Sequence, residues 1–298
     1  MDQAEKTLKV RGCQAPRASI APPKLKAPAG STDCHFHIFG PHARYPLSPG
    51  RSYTPPEALI AQYLALAGTL GIERMVVVQP SVYGTDNRCT LDAIAEFGKE
   101  RARAVVVIDE QVTPHRLRQM HEAGARGARF NAVSGNGTPL EQLQTLARRI
   151  APLGWHVQLY VHGEQLAELA PALPGLGVPV VIDHMGGVSA EKGVNHPEFR
   201  TLLRLLEGGR AWVKLCGYRS SAAGYPFSDV EPMAKALIAV APERCLWGTD
   251  WPHPSYMRTM PDDGELLDLL GVWAPETALQ RRILAENPVT LYGLRPPG

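Results

Sequence analysis

Two histidines near the start of the chain, His35 and His37, have the residue type and spacing best suited to chemistry. Residues two apart on a β-strand point to the same face, so the two imidazoles would converge. Converging imidazoles can share one cation or polarise one carbonyl oxygen. Two surface histidines would give the same pattern. The pair comes at the end of an apolar strand, after Asp33, and this position favours a site.

Two later segments carry groups that could complete such a site. Asp250 stands in the run Trp247–His253, and a partly buried carboxylate there is suited to act as a general base. A turn-forming aspartate is the alternative. His184 follows an apolar strand and precedes the glycines Gly186 and Gly187, which allow a substrate to approach the backbone closely. A structural core histidine is the alternative for His184.

The elements that must position these groups alternate along the chain. Eight apolar segments are predicted as strands: Thr32–Phe39, Arg74–Gln79, Arg103–Asp109, Gly127–Asn131, His156–Val161, Pro179–Asp183, Ala211–Cys216 and Cys245–Thr249. Seven segments are predicted as helices: Pro56–Leu70, Leu91–Glu100, Thr113–Ala123, Pro139–Ala151, His196–Leu206, Glu231–Ala239 and Pro275–Glu286, with Asn287-Pro288 ending the last. This alternation predicts a single α/β domain, a TIM-type (β/α)₈ barrel over residues 31–298, preceded by an extended arm over residues 1–30. The ends of the strands would then converge on one mouth.

The composition narrows the class of protein. With 298 residues, 44% hydrophobic and a formal net charge of +2, the chain is typical of a globular enzyme and offers no basic field for nucleic acid. No apolar run is long enough to cross a membrane, and no secretory signal is apparent. The five scattered cysteines indicate reduced thiols in a cytoplasmic protein. No nucleotide-binding motif appears, and no organic cofactor is expected.

Three motifs in order, Thr32–Pro41, Asp183–Gly186 and Trp247–His253, resemble the amidohydrolase superfamily. Within it, the chain is most similar to the branch that contains 2-pyrone-4,6-dicarboxylate lactonase. The resemblance runs from about Pro22 to Leu294 and includes Arg51–Pro55. It implies a distorted (β/α)₈ barrel that hydrolyses a small lactone, carboxylated or sulfonated, of the pyrone dicarboxylate or muconolactone type, in aromatic-compound catabolism.

The resemblance also assigns roles to residues. Asp250 would deprotonate the attacking water, while His35, His37 and His184 would polarise the lactone carbonyl. The predicted substrate-binding residues are Tyr53, Ser81, Arg129, Tyr160, Arg219 and His253. Two arginines suit this role, since guanidinium groups bind carboxylates bidentately. For Arg219, an ordinary surface arginine is an equal alternative.

The chain departs from the lactonase pattern at two arginines. Where that pattern has an arginine soon after the strand holding Arg129, this chain reads Asn131–Gly137, and where it has an arginine after the His-Met-Gly segment, this chain has Gly187. Fewer cationic groups predict a substrate with one fewer anionic group, or one held differently. The pyrone dicarboxylate itself is therefore not assigned.

The metal content is left open by the sequence. His35, His37, His184 and Asp250 are ligand types that one zinc ion accepts, with His162 as a candidate further ligand. The lactonase branch is understood to work without a metal, and no lysine follows the fourth strand to bridge two ions. One zinc ion and metal-independent catalysis are the two alternatives.

Other functions remain open beside lactone hydrolysis. A metal-dependent decarboxylase of aromatic acids would share the barrel and release CO₂. A sugar-acid lactone isomerase would give a new lactone without net acid. A barrel that only binds a ligand would leave the Asp and His residues unexplained. The expected partner is a small anionic lactone, and a homo-oligomer is one option for the assembly.

Overall fold

The centre of the fold is a sheet of eight parallel strands, numbered β1 to β8 in chain order. The structure, a computed structural model, describes residues 10–296. The strands are β1 Thr32–Phe36, β2 Arg74–Val78, β3 Ala102–Val106, β4 Ala125–Asn131, β5 His156–Tyr160, β6 Val180–Ile182, β7 Ala211–Lys214 and β8 Cys245–Leu246. Each strand pairs with its neighbours in sequence. The eight predicted strands are thus confirmed, although seven of them end before the predicted residue.

The first and last strands approach each other and nearly close the barrel. The backbone N–H of Cys34 donates to the carbonyl of Trp247 at 2.9 Å, and that of His37 donates to the carbonyl of Trp251 at 2.8 Å. In the opposite direction, the N–H of Asp250 donates to the carbonyl of His35 at 2.7 Å. These bonds bring the two predicted motifs at either end of the sequence side by side. The TIM-type barrel is confirmed.

Ten α-helices surround the sheet in the described part of the chain. They are α1 Ile60–Leu70, α2 Arg88–Phe97, α3 Pro114–Glu122, α4 Leu143–Ile150, α5 Gly163–Leu169, α6 Pro197–Glu207, α7 Glu231–Val240, α8 Asp263–Trp273, α9 Thr277–Arg281 and α10 Asn287–Tyr292. Within residues 10–296, no helix is both long and apolar enough to span a membrane. The seven predicted helices are present with shifted ends.

Three helical segments differ from the sequence prediction. Helices α5 and α8 were not predicted, because α5 starts at a glycine and α8 is apolar on several faces and interrupted by glycines. Asn287-Pro288 was predicted to end the last helix, and that is wrong. A π-helical turn, Arg282–Glu286, leads into α10, whose first turn contains Pro288. Proline is tolerated there because a first-turn N–H has no partner within the helix.

The segment before the barrel crosses the outside of the last helices. Residues 1–9 of the predicted arm lie outside the described residues. The two-residue strand Arg11–Gly12 pairs in parallel with Tyr53–Thr54. Further along, the backbone N–H groups of Lys24 and Leu25 donate to Asp268 at 2.7 and 2.8 Å. The strand pairing links the N-terminal residues to the segment that carries Tyr53, and the bonds to Asp268 link them to α8.

Asp33 in β1 ties together the two edges of the barrel. Its Oδ1 atom accepts from the backbone N–H groups of His35 at 3.0 Å and Thr249 at 3.1 Å. Its Oδ2 atom accepts from the Thr249 hydroxyl at 2.6 Å. All of these groups are buried. The Asp33 carboxylate therefore supplies an acceptor for two backbone N–H groups where β1 meets the segment after β8.

Replacing Asp33 by Ala is therefore expected to lower the free energy of unfolding by about 3 kcal/mol, because two buried N–H groups lose their acceptor. Urea denaturation followed by circular dichroism measures this. Asp33→Asn keeps one carbonyl oxygen and should lose less. An Ala variant as stable as the wild type would show that the first and last strands of the barrel stay together without this carboxylate.

Candidate active site

The ends of the strands meet at a cavity of about 290 Å³. Its walls include seven of the predicted site residues: His37, Tyr53, Arg129, Tyr160, His184, Arg219 and Asp250. A larger surface cleft of about 550 Å³ runs past Asp86 and Asp109, and none of the predicted site residues lines it. The smaller cavity is thus the candidate active site.

Asp250 lies at the centre of the predicted catalytic group. Its Oδ1 atom is 3.3 Å from Nε2 of His37 and 3.6 Å from Nε2 of His35. The ring of His184 lies 4.8 Å from that of His35, measured between centroids. The structure therefore brings together all four residues that the sequence placed in the catalytic group.

The other oxygen of Asp250 is occupied by two donors. The Tyr218 hydroxyl and Nε of Arg219 both donate to Oδ2 at 2.6 Å. Burial alone would raise the pKa of Asp250, but Arg219, His184 and the neighbouring histidines outweigh it and hold that pKa well below its ordinary value. Asp250 is accordingly ionised near neutral pH, with Oδ1 as the oxygen that faces His35 and His37.

The backbone at two of these residues is in the left-handed region. Asp250 has a φ of 60° and His184 a φ of 48°. Such angles are uncommon for residues other than glycine and cluster at functional sites, where the surrounding structure holds them. Both residues follow the end of a strand, and the turn directs their side chains to the mouth.

The three histidines differ in their surroundings. Nδ1 of His37 lies 2.7 Å from the carbonyl oxygen of Val78, which can only accept. Burial lowers the pKa of His184 to about 4, and burial together with Lys214 holds the pKa of His35 well below its ordinary value. His35 is fully buried and lies beneath the cavity rather than in its wall.

A second polar layer lies under the cavity, around Asp183. Oδ2 of Asp183 accepts from Nε of Arg129 and from Nε2 of Gln158, both at 3.1 Å. Lys214 donates to Oε1 of Gln158 at 2.8 Å, and its Nζ lies 3.2 Å from Nδ1 of His35. Burial alone would raise the pKa of Asp183, but His35, Lys214 and Arg129 keep it well below the ordinary value.

Sequence reasoning missed this layer as part of the site. The sequence prediction contains Asp183 only as the end of a strand and within the Asp183–Gly186 motif, and it assigns no role to Lys214 or Gln158. A signal was present, because Lys214 and Gln158 are polar residues within strands that are otherwise largely apolar. Such residues inside a buried strand must find partners in the barrel interior.

Four of the six residues predicted to bind substrate line the cavity: Tyr53, Tyr160, Arg129 and Arg219. Arg129 packs its guanidinium carbon 5.4 Å from the centre of the Tyr160 ring. Arg219 keeps 15% of its side chain exposed and also donates to the carbonyl of Pro254 at 2.8 Å. A substrate anion can therefore reach Arg219 from the mouth.

Three predicted residues lie elsewhere. Ser81 is buried and outside the cavity wall. His253 is buried behind Tyr218 with Nε2 3.2 Å from Asp263, so it contacts the wall and not the cavity. His162 is exposed and precedes α5. Strand β5 ends at Tyr160, so the alternation that would have placed His162 on the inner face does not continue.

At the two positions where the lactonase pattern has an arginine and this chain does not, the structure shows what the residues present do. Oδ1 of Asn131 accepts from the backbone N–H groups of Val133 and Ser134 at 3.1 and 2.9 Å and so shapes the loop at the mouth. Gly187 has a φ of 64°, and a Cβ at this position would overlap the carbonyl oxygen of Val161. The backbone at position 187 therefore has no room for an arginine side chain without a shift.

A His/Asp cluster that could hold a metal ion is present. One ligand atom from each of His35, His37 and Asp250 lies within 4.8 Å of the others, and His35, Asp183 and His184 form a similar group. The ligand types suit zinc. His162 is not part of either group. The surrounding charge is less suitable for a cation. The positive charges of Arg129, Lys214 and Arg219 exceed the negative charges of Asp183 and Asp250 by one.

Comparison with known proteins identifies a matching family model and two relatives that are similar over nearly the whole chain. A family model described as amidohydrolase matches residues 32–294. The chain is 41% identical over 287 residues to a 2-pyrone-4,6-dicarboxylate hydrolase of Comamonas testosteroni, covering 92% of this chain and 94% of that protein. It is 42% identical over 287 residues to a 4-sulfomuconolactone hydrolase of Hydrogenophaga intermedia, covering 94% of each.

A solved structure shares the architecture of the whole barrel. The apo structure of Agrobacterium tumefaciens ATU3138 superposes with a TM-score of 0.83 at 34% identity. The match covers 92% of this chain and 99% of that one. The barrel and the order of its strands are therefore shared along nearly the entire length.

Proposed function

The chain belongs to the amidohydrolase family, and from that premise we propose that it hydrolyses a small lactone bearing a carboxylate or sulfonate group. One observation carries the proposal. An ionised aspartate, with one oxygen unoccupied by arginine or tyrosine, borders a small cavity whose wall also holds two arginines. That combination provides a base for water and a binding site for an anion. The relatives of known name act on lactones of this kind.

In the proposed reaction, Oδ1 of Asp250 accepts a proton from the attacking water. Arg219 and Tyr218 hold Oδ2, so the carboxylate is fixed with Oδ1 toward the histidines. The carbonyl of Val78 keeps a proton on Nδ1 of His37, which leaves a lone pair on Nε2. That lone pair and Oδ1 of Asp250 can each accept one hydrogen of the same water molecule. The water oxygen is then free to attack.

His184 is the histidine placed to polarise the lactone carbonyl. It lines the cavity, and its low pKa leaves it neutral, so one of its nitrogens carries a proton to donate. A donor aimed at the oxygen that becomes negative stabilises the transition state. Attack gives a tetrahedral intermediate. Its collapse breaks the ring C–O bond, the proton held by Asp250 passes to the departing ring oxygen, and the carboxylic acid that forms ionises. His184 therefore polarises the lactone carbonyl, whereas His35 lies beneath the cavity and does not contact the substrate.

Arg219 and Arg129 recognise the anionic group of the substrate. A guanidinium group binds a carboxylate or sulfonate through paired N–H donors. Arg219 is the more accessible of the two, whereas Arg129 is held by Asp183 and by the face of Tyr160. This chain has no arginine in Asn131–Gly137 or at position 187, where the lactonase pattern has one each. A substrate with one anionic group therefore fits this wall better than a dicarboxylate.

Zinc is the alternative source of activation at this site. Held by His35, His37 and Asp250, a zinc ion would lower the pKa of a water molecule. We propose that the reaction proceeds without it, because three cationic side chains already provide positive charge around the cavity. His184, Arg129 and Arg219 then stabilise the developing negative charge.

A panel of lactones in weakly buffered solution with a pH indicator tests the function. A monocarboxylated muconolactone should release one proton per molecule, and sulfomuconolactone and pyrone dicarboxylate, which each carry two anionic groups, should be the poorer substrates. Pretreatment with a chelator should change kcat/KM by less than about two-fold, since the residues of the chain supply the charge. A large loss restored by zinc would overturn the metal-independent reaction but not lactone hydrolysis.

The same panel separates the competing activities. A decarboxylase would release CO₂ from aromatic acids, which carbonate detection reveals. An isomerase would convert one lactone to another without net acid. No proton release from any lactone of the panel, together with either of these products, would refute the proposed hydrolysis.

A further inference from the structure

Lys214 is a fully buried lysine beneath the cavity, and no step of the proposed reaction uses it directly. It is the last residue of β7, and its side chain is 0% exposed. Its Nζ atom donates to Oε1 of Gln158 and lies 3.2 Å from Nδ1 of His35 and 3.6 Å from Oδ1 of Asp183. Burying an ammonium group is costly unless it is paired. Its partners therefore indicate what the lysine does.

The contact with Lys214 decides which nitrogen of His35 carries the proton. Lys214 is paired with ionised Asp183, and as an ammonium group it has N–H donors and no lone pair, so Nδ1 of His35 accepts from it. Oδ1 of Asp183 is equally close to Nδ1, at 3.2 Å. However, that oxygen has no hydrogen-bond partner among the described residues, so His35 does not direct an N–H to it. The ring proton of neutral His35 consequently lies on Nε2.

His37, two residues along the same chain segment, has the opposite arrangement. Its Nδ1 faces the carbonyl oxygen of Val78 at 2.7 Å, and a carbonyl can only accept. The proton of His37 therefore lies on Nδ1, and Nε2 presents a lone pair. Nε2 of His37 lies 3.3 Å from Oδ1 of Asp250 and Nε2 of His35 lies 3.6 Å from it. At that distance Nε2 of His35 makes no direct hydrogen bond, and it has no other partner among the described residues.

We propose that Lys214 is a positioning residue, which holds His35 in the tautomer protonated on Nε2 so that His35 directs an N–H toward Oδ1 of Asp250. The N–H dipole of His35 then stabilises the charge of Asp250 from below at 3.6 Å, while His37 and Asp250 both accept from water. A second consequence concerns zinc: a protonated Nε2 cannot ligate a metal ion, so Lys214 disfavours the cluster of His35, His37 and Asp250 as a metal site. The kinetic consequence rests on the proposed hydrolysis, whereas the tautomer does not.

The tautomers are measured by NMR of the full chain labelled with ¹⁵N-histidine. The nitrogen shifts should show His35 protonated on Nε2 and His37 protonated on Nδ1, each assigned from the signal lost in His35→Asn or His37→Asn. His37 serves as an internal reference of opposite type. A proton on Nδ1 of His35 in the wild type would overturn the proposal, whatever the protein catalyses.

Lys214→Met removes the donor while keeping the length of the side chain. Without it, Nδ1 of His35 can donate to Oδ1 of Asp183, and the proton should move from Nε2 to Nδ1. We expect kcat to fall by about 10- to 100-fold with KM within about two-fold, the range found for residues that orient an active-site histidine. By calorimetric titration with zinc chloride, affinity should rise by about tenfold or more, because Nε2 becomes a ligand.

Lys192→Met is the matched control. Lys192 is an exposed lysine paired with Glu198 outside the cavity, and its replacement should change neither the tautomers nor the zinc affinity. An unchanged His35 tautomer in Lys214→Met would overturn the proposal. If that variant does not fold, the wild-type spectrum decides. If no lactone is hydrolysed, the spectrum and the zinc titration still test Lys214 and separate its failure from that of the proposed function.

Discussion

Asp250→Asn is expected to lower kcat for lactone hydrolysis by roughly 10³-fold while KM stays within about two-fold. The amide cannot accept the proton of water, but it keeps an oxygen for the donors Arg219 and Tyr218. The anion-binding wall of the cavity is unchanged. Steady-state kinetics on the best lactone of the panel, with circular dichroism to verify folding, measures the effect.

Asp109→Asn is the matched control for this substitution. Asp109 also follows a strand of the barrel, but its side chain accepts from the backbone N–H of Gln111 and lines the larger surface cleft. Activity should be unaffected in this variant. If Asp250→Asn kept more than a tenth of the wild-type kcat, the base would have to be another group. A raised KM with unchanged kcat would instead make Asp250 a binding residue.

Arg219→Met should raise KM for an anionic lactone by about 10- to 100-fold, since a charge-assisted pair contributes about 1.5–3 kcal/mol. The same substitution should leave KM for an uncharged lactone of equal ring size within about two-fold. Arg219→Lys should lie between, because it keeps the positive charge and loses the paired geometry. Parallel kinetics on the charged and uncharged lactones measure the contrast.

The contact with Asp250 gives this variant a second effect. Arg219 lowers the pKa of Asp250, so its removal raises that pKa. The base then becomes protonated at a higher pH, and the acidic limb of the kcat profile should move upward in pH. Equal losses on both lactones, with only this shift, would show that Arg219 acts on Asp250 and does not recognise the substrate.

Much of the barrel could be predicted from the sequence because its signals are local. A buried parallel strand is apolar on consecutive positions, as in residues 75–78, and that pattern is visible without any partner. Helices with clear start residues and one apolar face were predicted as well. Helix α8 was missed because its apolar residues spread around the helix and Gly264 and Gly271 interrupt the pattern, so no single face is marked.

The core of the candidate site was also within reach of the sequence. His35 and His37 lie within the first predicted strand, and His184 and Asp250 directly follow the sixth and the eighth; a parallel barrel gathers these strand ends at one mouth. Strand position alone therefore predicts that they meet. The structure places them together around one oxygen of Asp250.

Tertiary structure decided which of the remaining polar residues reach the cavity. His162 stands two residues after Tyr160, and only the end of the sheet pairing at Tyr160 shows that His162 leaves the inner face. His253 turns behind Tyr218 because of its contact with Asp263, a residue of helix α8 that the sequence did not predict. In both cases the position depends on another part of the chain: on where the partner strand stops pairing for His162, and on Asp263 for His253.

Tertiary contacts also decide which ring nitrogen carries the proton in His35 and in His37. The sequence predicted that His35 and His37 share one face of a strand, because alternation along a strand is a local property. In the structure the strand ends at Phe36, and His37 reaches the cavity wall while His35 lies beneath it. The sequence could not determine which nitrogen of each ring carries the proton. That depends on Lys214, 179 residues away from His35, and on Val78, 41 residues away from His37, and only closure of the barrel brings them to the two rings.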